Sequence, residues 1–204
     1  TFIWAVKSGW TDVAETKVKV GAHTTECGDY LMNAEEKGWC GIARVLLTCG
    51  ANVNERDYRR STPLMIAAEE GNAEMTQIIL KYNPDTALRN ESRMTALYMA
   101  VSEGHADVVR LLLEHGAAHD MRSKTRYEYK NITPLQSAAK AGYWGIAHLL
   151  EERGASSEHL LVRERKHYAL YKHVRAHWLK SGHVPPDGLW EKDPAWFNPE
   201  GFSA

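Results

Sequence analysis

The chain has 204 residues, of which 44% are hydrophobic and 25% charged, a composition that excludes a disordered or fibrous protein. Its formal net charge of −1 disfavours binding of the whole molecule to nucleic acid or to an anionic membrane. No apolar run reaches the roughly 20 residues of a membrane-spanning helix, and three cysteines without a C-x-x-C pair indicate reduced thiols in the cytoplasm or nucleus.

The chain begins with a weak copy of a repeated pattern. The segment 3–9 ends at Gly9, and a Gly-Ala pair begins twelve residues later at Gly21, the same offset that separates Gly38 from Gly50. Only 29 residues separate Gly9 from Gly38, whereas 33 separate the corresponding glycines of the next units. We therefore predict that the first unit is incomplete.

The pattern is clearest in three segments, 61–71, 94–104 and 132–142, which share a threonine, a leucine, small residues and a final glycine. The second copy follows the first after 33 residues and the third after 38. A period of this size indicates a solenoid of stacked units. A second set of positions recurs with the same spacing. Each is a pair of apolar residues shortly before a glycine or asparagine: Leu46-Leu47 before Gly50, Ile79-Leu80 before Asn83, Leu112-Leu113 before Gly116 and Leu149-Leu150 before Gly154.

Each unit is predicted to be a pair of helices joined by a tight turn. Thr62 and Thr133 suit the N-cap of the first helix, and Pro63 and Pro134 suit its first position, where no N–H is needed. The glycine after each helix supplies a left-handed residue that ends it. Because one short helix pair cannot bury its own apolar face, the units must stack on each other.

These features resemble the ankyrin repeat family. The T-P-L-x-x-A-A-x-x-G motif at 62–71, the segment 50–54 and the run 104–117 are similar to its consensus. The resemblance covers residues 1–155 and implies an all-α solenoid of about five helix-turn-helix repeats with β-hairpin fingers. It also implies a non-catalytic module, without a cofactor or metal, that binds a protein partner through its concave face and fingers.

Two segments follow the repeats. We predict that residues 156–182 form a helix that starts at Ser156 and caps the open end of the solenoid. Its apolar and aromatic side recurs at helical spacing and comprises Leu160, His167, Leu170, Tyr171, Val174 and Trp178. The segment 183–204 is rich in proline, glycine and tryptophan. It either packs on the solenoid, over the end cap or in the concave groove, or forms a flexible tail.

The family resemblance implies partner contacts in the fingers and at the inner helices. Arg60 and Arg93 stand where the family has glycine at the finger turn, and Asn131 has this place in the last unit. The finger at 122–130 is about five residues longer than the others and is basic and aromatic, a composition typical of interface hot spots. The predicted partner-binding residues are Arg56, Tyr58, Arg59, Glu69, Glu70, Glu91, Ser102, Glu103, Arg122, Lys124, Arg126, Tyr127, Tyr129 and Lys140.

Charge is distributed unevenly between the fingers and the inner helices. The finger segments 55–60, 89–93 and 122–130 carry +1, +1 and +3, whereas the inner helix ends are mostly acidic. A protein with an acidic edge along the fingers and a basic edge along the helices fits this polarity, and a nucleic acid would meet the acidic strip unfavourably. The expected partner is therefore a protein, and the chain is expected to be a monomer.

An enzyme or small-ligand-binding protein on the same solenoid is the alternative, with the C-terminal helix and aromatic tail closing the groove. His167, Glu164 and Tyr168 are the candidates for proton transfer, and His173 and His177 have the spacing of metal ligands on one helix face. No phosphate loop, dinucleotide fingerprint or nucleophile elbow accompanies them.

Aromatic residues follow several turn glycines. They are Trp10, Trp39, Tyr143 and Trp144. They either pack between neighbouring units or line the groove as an apolar strip for a peptide or a small ligand.

Overall fold

The computed structural model describes residues 5–6, 8–19, 31–32, 34, 39–124, 131–158 and 160–180. The helices are α1 (Thr11–Lys19), α2 (Cys40–Thr48), α3 (Pro63–Glu69), α4 (Ala73–Leu80), α5 (Ala96–Glu103), α6 (Ala106–Glu114), α7 (Pro134–Ala141), α8 (Trp144–Glu152) and α9 (Val162–Lys180). Two short strands, β1 (Ser123–Lys124) and β2 (Asn131–Ile132), pair antiparallel at the base of the long finger.

The helices form two layers that run the length of the repeats. The inner helices α3, α5 and α7 pack on each other in that order, and the outer helices α1, α2, α4, α6 and α8 do the same. Within a unit, each inner helix packs on the outer helix that follows it. One continuous apolar core lies between the layers, which confirms the predicted all-α solenoid.

The inner helices begin at threonine caps, because a hydroxyl oxygen there accepts an N–H that the helix itself leaves without a partner. Thr62 Oγ1 accepts from Met65 N at 3.4 Å, and Thr133 Oγ1 accepts from Gln136 N at 3.2 Å. Thr95 caps α5 in the same way. The predicted caps at Thr62 and Thr133 are confirmed, and Thr95 is a third.

The turn glycines receive a ring from the next unit. Gly71 and Gly104 are left-handed, with φ of 71° and 80°, and a Cβ on Gly104 would lie 2.8 Å from Tyr143 Cζ. The ring and glycine pairs are Trp39 with Gly9, His105 with Gly71, and Tyr143 with Gly104. Of the two alternatives, packing between units therefore holds for Trp39 and Tyr143. Trp144 is also buried, whereas Trp10 is 51% exposed.

The C-terminal helix covers the last repeat, but it begins at Val162 and not at the predicted Ser156. Ser156 Oγ accepts only a short-range bond from Glu158 N at 3.3 Å. Glu164 caps the start of the helix instead, because its carboxylate oxygen Oε2 accepts from Leu161 N at 2.8 Å. The side chain of Trp178 and the tail 183–204 lie outside the described residues.

A pair of glycine substitutions tests the stacking contact. Gly104→Ala and Gly116→Ala both place a Cβ on a left-handed residue, which costs about 1 kcal/mol. Only Gly104→Ala meets a ring, because nothing lies within 4 Å of a Cβ on Gly116. We expect Gly104→Ala to lower the free energy of unfolding by about 1–3 kcal/mol more than Gly116→Ala. Urea unfolding of both variants measures this, and equal losses would contradict it.

Candidate functional site

The first described finger ends in a tight turn that Asp57 organises. Asp57 N donates to Ser61 O at 3.0 Å, and Arg60 N donates to Asp57 O at 2.9 Å. The Asp57 carboxylate oxygen Oδ1 also accepts from Arg59 N at 2.8 Å and from Ser61 N at 2.6 Å. Aspartate favours turns because its side chain can bond the backbone two residues ahead. The backbone positions of the tip are therefore fixed by bonds within the finger.

The next finger repeats this arrangement. Asn90 N donates to Met94 O at 3.1 Å, and Arg93 N donates to Asn90 O at 2.9 Å. Asn90 Oδ1 accepts from Met94 N at 3.0 Å, as the Asp57 carboxylate does from Ser61 in the first finger. Two fingers with the same backbone thus stand side by side.

Hydrogen bonds between units join the fingers into one edge. Glu91 N donates to Arg59 O at 3.0 Å, and Asp85 N donates to Asn54 Oδ1 at 2.9 Å. Toward the long finger, Arg89 Nη1 donates to Arg122 O at 3.4 Å. A partner would therefore meet a preorganised row of tips, which reduces the ordering that binding requires.

The turn arginines have the conformation of the glycine that the family resemblance led us to expect. Arg60 and Arg93 both have φ of 60°, and their side chains are exposed. A left-handed residue with a Cβ costs about 1 kcal/mol relative to the ordinary conformation. The replacement of glycine by arginine therefore leaves the turn geometry intact and adds a positive charge at each tip.

An aromatic side chain and a guanidinium group stand together on the first tip. Tyr58 is 80% exposed, and the guanidinium carbon of Arg59 lies 5.2 Å from the centre of its ring. This distance suits a cation–π contact, which holds both side chains in one place. Arg56, further back on the finger, is half-buried.

The predicted contacts on the inner helices lie at their C-terminal ends. Glu69 and Glu70 follow one another at the end of α3, Glu103 ends α5, and all three are exposed. Ser102 is half-buried and its hydroxyl donates to Met99 O at 2.9 Å. Lys140, near the end of α7, is exposed. The glutamates form an acidic strip at the opposite end of the inner helices from the fingers.

Part of the predicted surface is not described. The backbone of Lys124 lies in β1, opposite Asn131, while Arg122 is exposed and precedes that strand. Arg126, Tyr127 and Tyr129 lie outside the described residues. The structure thus brings together the tips of the two shorter fingers. That the basic long finger contributes to the same surface stays a prediction.

A family model described as ankyrin repeats, in three copies, matches residues 2–90, 31–125 and 64–159. The chain belongs to the ankyrin repeat family. Ankyrin repeats are generally protein–protein interaction modules. A search of the curated proteins found no match. In the part of the ankyrin chain that the structure describes, no helix is both long and apolar enough to cross a membrane.

The three side chains predicted for proton transfer make separate contacts on α9. His167 lies edge-on to Trp144 with ring centres 6.1 Å apart, while Glu164 caps the start of α9. Tyr168 OH donates to Glu151 Oε2 at 2.9 Å, on the last outer helix of the ankyrin array. Among the described contacts, the three candidates therefore serve three different structural purposes.

The proposed metal spacing on α9 has no third ligand among the residues described. His173 and His177 are both exposed on α9. No group of three or more His, Cys, Asp or Glu side chains that could hold a metal ion occurs within the described ranges.

The buried contact between α8 and α9 shifts two pKa values. Burial by itself raises the pKa of Glu151, but hydrogen bonds from Tyr168 and Lys172 outweigh it and hold that pKa below its ordinary value. Lys172 Nζ lies 3.2 Å from Glu151 Oε2. Burial and the hydrogen bond to Glu151 raise the pKa of Tyr168 well above its ordinary value. Tyr168 therefore stays protonated and donates its hydrogen bond at physiological pH.

The lowered pKa of Glu151 predicts an acid-dependent contribution to stability. Because its folded-state pKa is below the unfolded value, the contribution is complete above the unfolded pKa and is lost as pH falls through the folded pKa. We expect Glu151→Gln to lower the free energy of unfolding by about 1 kcal/mol at neutral pH. The difference from wild type should shrink below about pH 4.

Urea unfolding over a pH series measures this effect. Glu114→Gln, which changes an exposed glutamate on α6, is the matched control and should unfold like wild type at every pH. A Glu151→Gln deficit that stays constant into acid would contradict the assignment of the shift to this carboxylate.

Proposed function

We propose that the chain is a non-catalytic binding module whose protein partner contacts its concave face and hairpin fingers, from the finger tips to the C-terminal ends of the inner helices. The observation that carries the proposal is the exposed Tyr58 ring, with the Arg59 guanidinium over it. Tyrosine and arginine are the residue types that dominate interface hot spots. Both stand on a backbone that Asp57 holds in place, so little ordering is required on binding.

The proposed contact surface includes residues on both sides of this tip. It comprises Arg56, Tyr58, Arg59, Glu69, Glu70, Glu91, Ser102, Glu103, Arg122, Lys124, Arg126, Tyr127, Tyr129 and Lys140. The partner is proposed to bind a monomer in the cytoplasm or nucleus. The odd and sparse cysteine count supports a reducing compartment.

Affinity capture from a cell lysate tests the proposed surface. The full chain is compared with a Tyr58→Ala, Arg59→Glu variant and with Arg44→Glu, which reverses an exposed charge on the outer helix α2. We expect the amount of partner captured by the finger variant to fall about tenfold or more, because substitutions at interface hot spots weaken binding by this amount. Arg44→Glu should capture the same proteins as wild type. If the finger variant also captures the same set, the proposed surface is wrong.

We also propose that the chain consists of a repeat domain at 1–155, a C-terminal segment at 156–182 that contains the capping helix α9, and a tail at 183–204 whose aromatics pack over the capped end. Truncation after Gly182 should then lower Tm by about 2–4 °C for each kcal/mol of lost packing. Thermal unfolding followed by circular dichroism measures this. An unchanged Tm would show that the tail does not contribute to the fold.

A further inference from the structure

The two turn arginines occupy a conformation that glycine adopts without strain. Arg60 and Arg93 lie at equivalent places in adjacent units and share a φ of 60°. Asn83, at the end of α4, is left-handed as well, with φ of 51°, but asparagine tolerates this region better than arginine does. Strained residues that persist on a surface point to a function for the side chain.

Two carboxylates close to the first tip are engaged within the finger. Asp57 Oδ1 accepts two backbone N–H groups of its own turn, and Glu55 Oε2 accepts from the side-chain amide Asn52 Nδ2 at 3.2 Å. These local bonds hold both acidic side chains within the finger. The exposed side chains of Arg59 and Arg60 therefore give this tip a positive outer surface.

The spacing of the tips suits an extended chain. The inner helices α3 and α5 pack directly, and packed helices lie about 8–10 Å apart. A segment in the polyproline II conformation advances about 3.1 Å per residue with three residues per turn, so side chains three apart lie on one side of it and match one unit of the solenoid. The Glu91 to Arg59 backbone bond ties the two tips together.

We propose that Arg60 and Arg93 bind two carboxylates, three residues apart, on an extended acidic segment of the protein partner. Tyr58 and Arg59 flank the segment on the first tip. This inference rests on the proposed function and specifies the chemistry of the partner. The exposed guanidinium groups of Arg60 and Arg93 are suited to paired carboxylates, since a hydrogen bond to an ionised group is the stronger kind.

A nucleic acid would offer negative charge too, but the acidic strip opposes it. Glu69 and Glu70 lie at the far end of α3, a helix about 10 Å long whose other end adjoins the finger. A polyanion lying across the groove comes within about one Debye length of these carboxylates and meets repulsion. An acidic segment confined to the finger edge avoids the strip.

The test uses glycine substitutions in the full chain. Arg60→Gly with Arg93→Gly removes both charges and retains the left-handed turns. Asn83→Gly is the matched control, because it makes the same backbone change away from the tips. The probes are a fluorescein-labelled dodecapeptide of serine with glutamate at every third position, the same peptide with glutamine, and an oligothymidylate of equal charge.

Fluorescence anisotropy at low ionic strength should show that wild type and Asn83→Gly bind the glutamate peptide equally. The double variant should bind about tenfold more weakly, which corresponds to roughly threefold for each exposed charge pair. Its Tm should be unchanged or higher, because glycine relieves the left-handed strain. Weaker binding without lower stability separates a contact with the peptide from a defect in the fold.

The inference is overturned if wild type does not bind the glutamate peptide, binds the glutamine peptide equally, prefers oligothymidylate, or retains its affinity in the double variant. Affinity capture then separates this failure from that of the proposed function. If capture is lost with Tyr58→Ala, Arg59→Glu, the fingers bind a partner of different chemistry. If that variant also captures normally, the proposed function fails as well.

Discussion

The contact on which the structure depends is the packing of one repeat on the next. Helices of seven to nine residues are too short to be stable in water, so each acquires its stability from neighbours. In this packing, the rings of His105 and Tyr143 lie against the turn glycines of the preceding units. Because this packing fixes the distance between neighbouring units, the fingers are regularly spaced. The candidate surface is therefore rigid although the fingers have no large core of their own.

The fold was predictable from the sequence because its signals are local and repeated. Thr62 and Thr133 cap helices wherever the motif occurs, and the glycine period gives the register. The start of α9 was predicted wrongly at Ser156, since a serine with an acid after it has the same pattern whether or not a helix follows. The carboxylate of Glu164, three residues beyond Leu161, was the signal that decided the start.

The candidate surface was predictable in position but not in detail. Aligning the repeats located the fingers, and the family resemblance indicated that Arg60 and Arg93 stand where glycine is usual, yet only the backbone angles show that the turn is retained. Spacing along one chain also cannot reveal contacts between elements. Tyr168 was grouped with its helix neighbours as a candidate for proton transfer, whereas its hydroxyl bonds Glu151 on α8.

The short pairing between β1 and β2 has a consequence for how this surface can change. Ser123 faces Ile132 and Lys124 faces Asn131, so the hairpin is closed at its base, next to the cap of α7. Residues inserted or exchanged between Lys124 and Asn131 leave the helix packing untouched, because the entropic cost of closing a loop grows only slowly with its length. This hairpin is therefore a graft point, where a new recognition sequence could be introduced while the solenoid is retained.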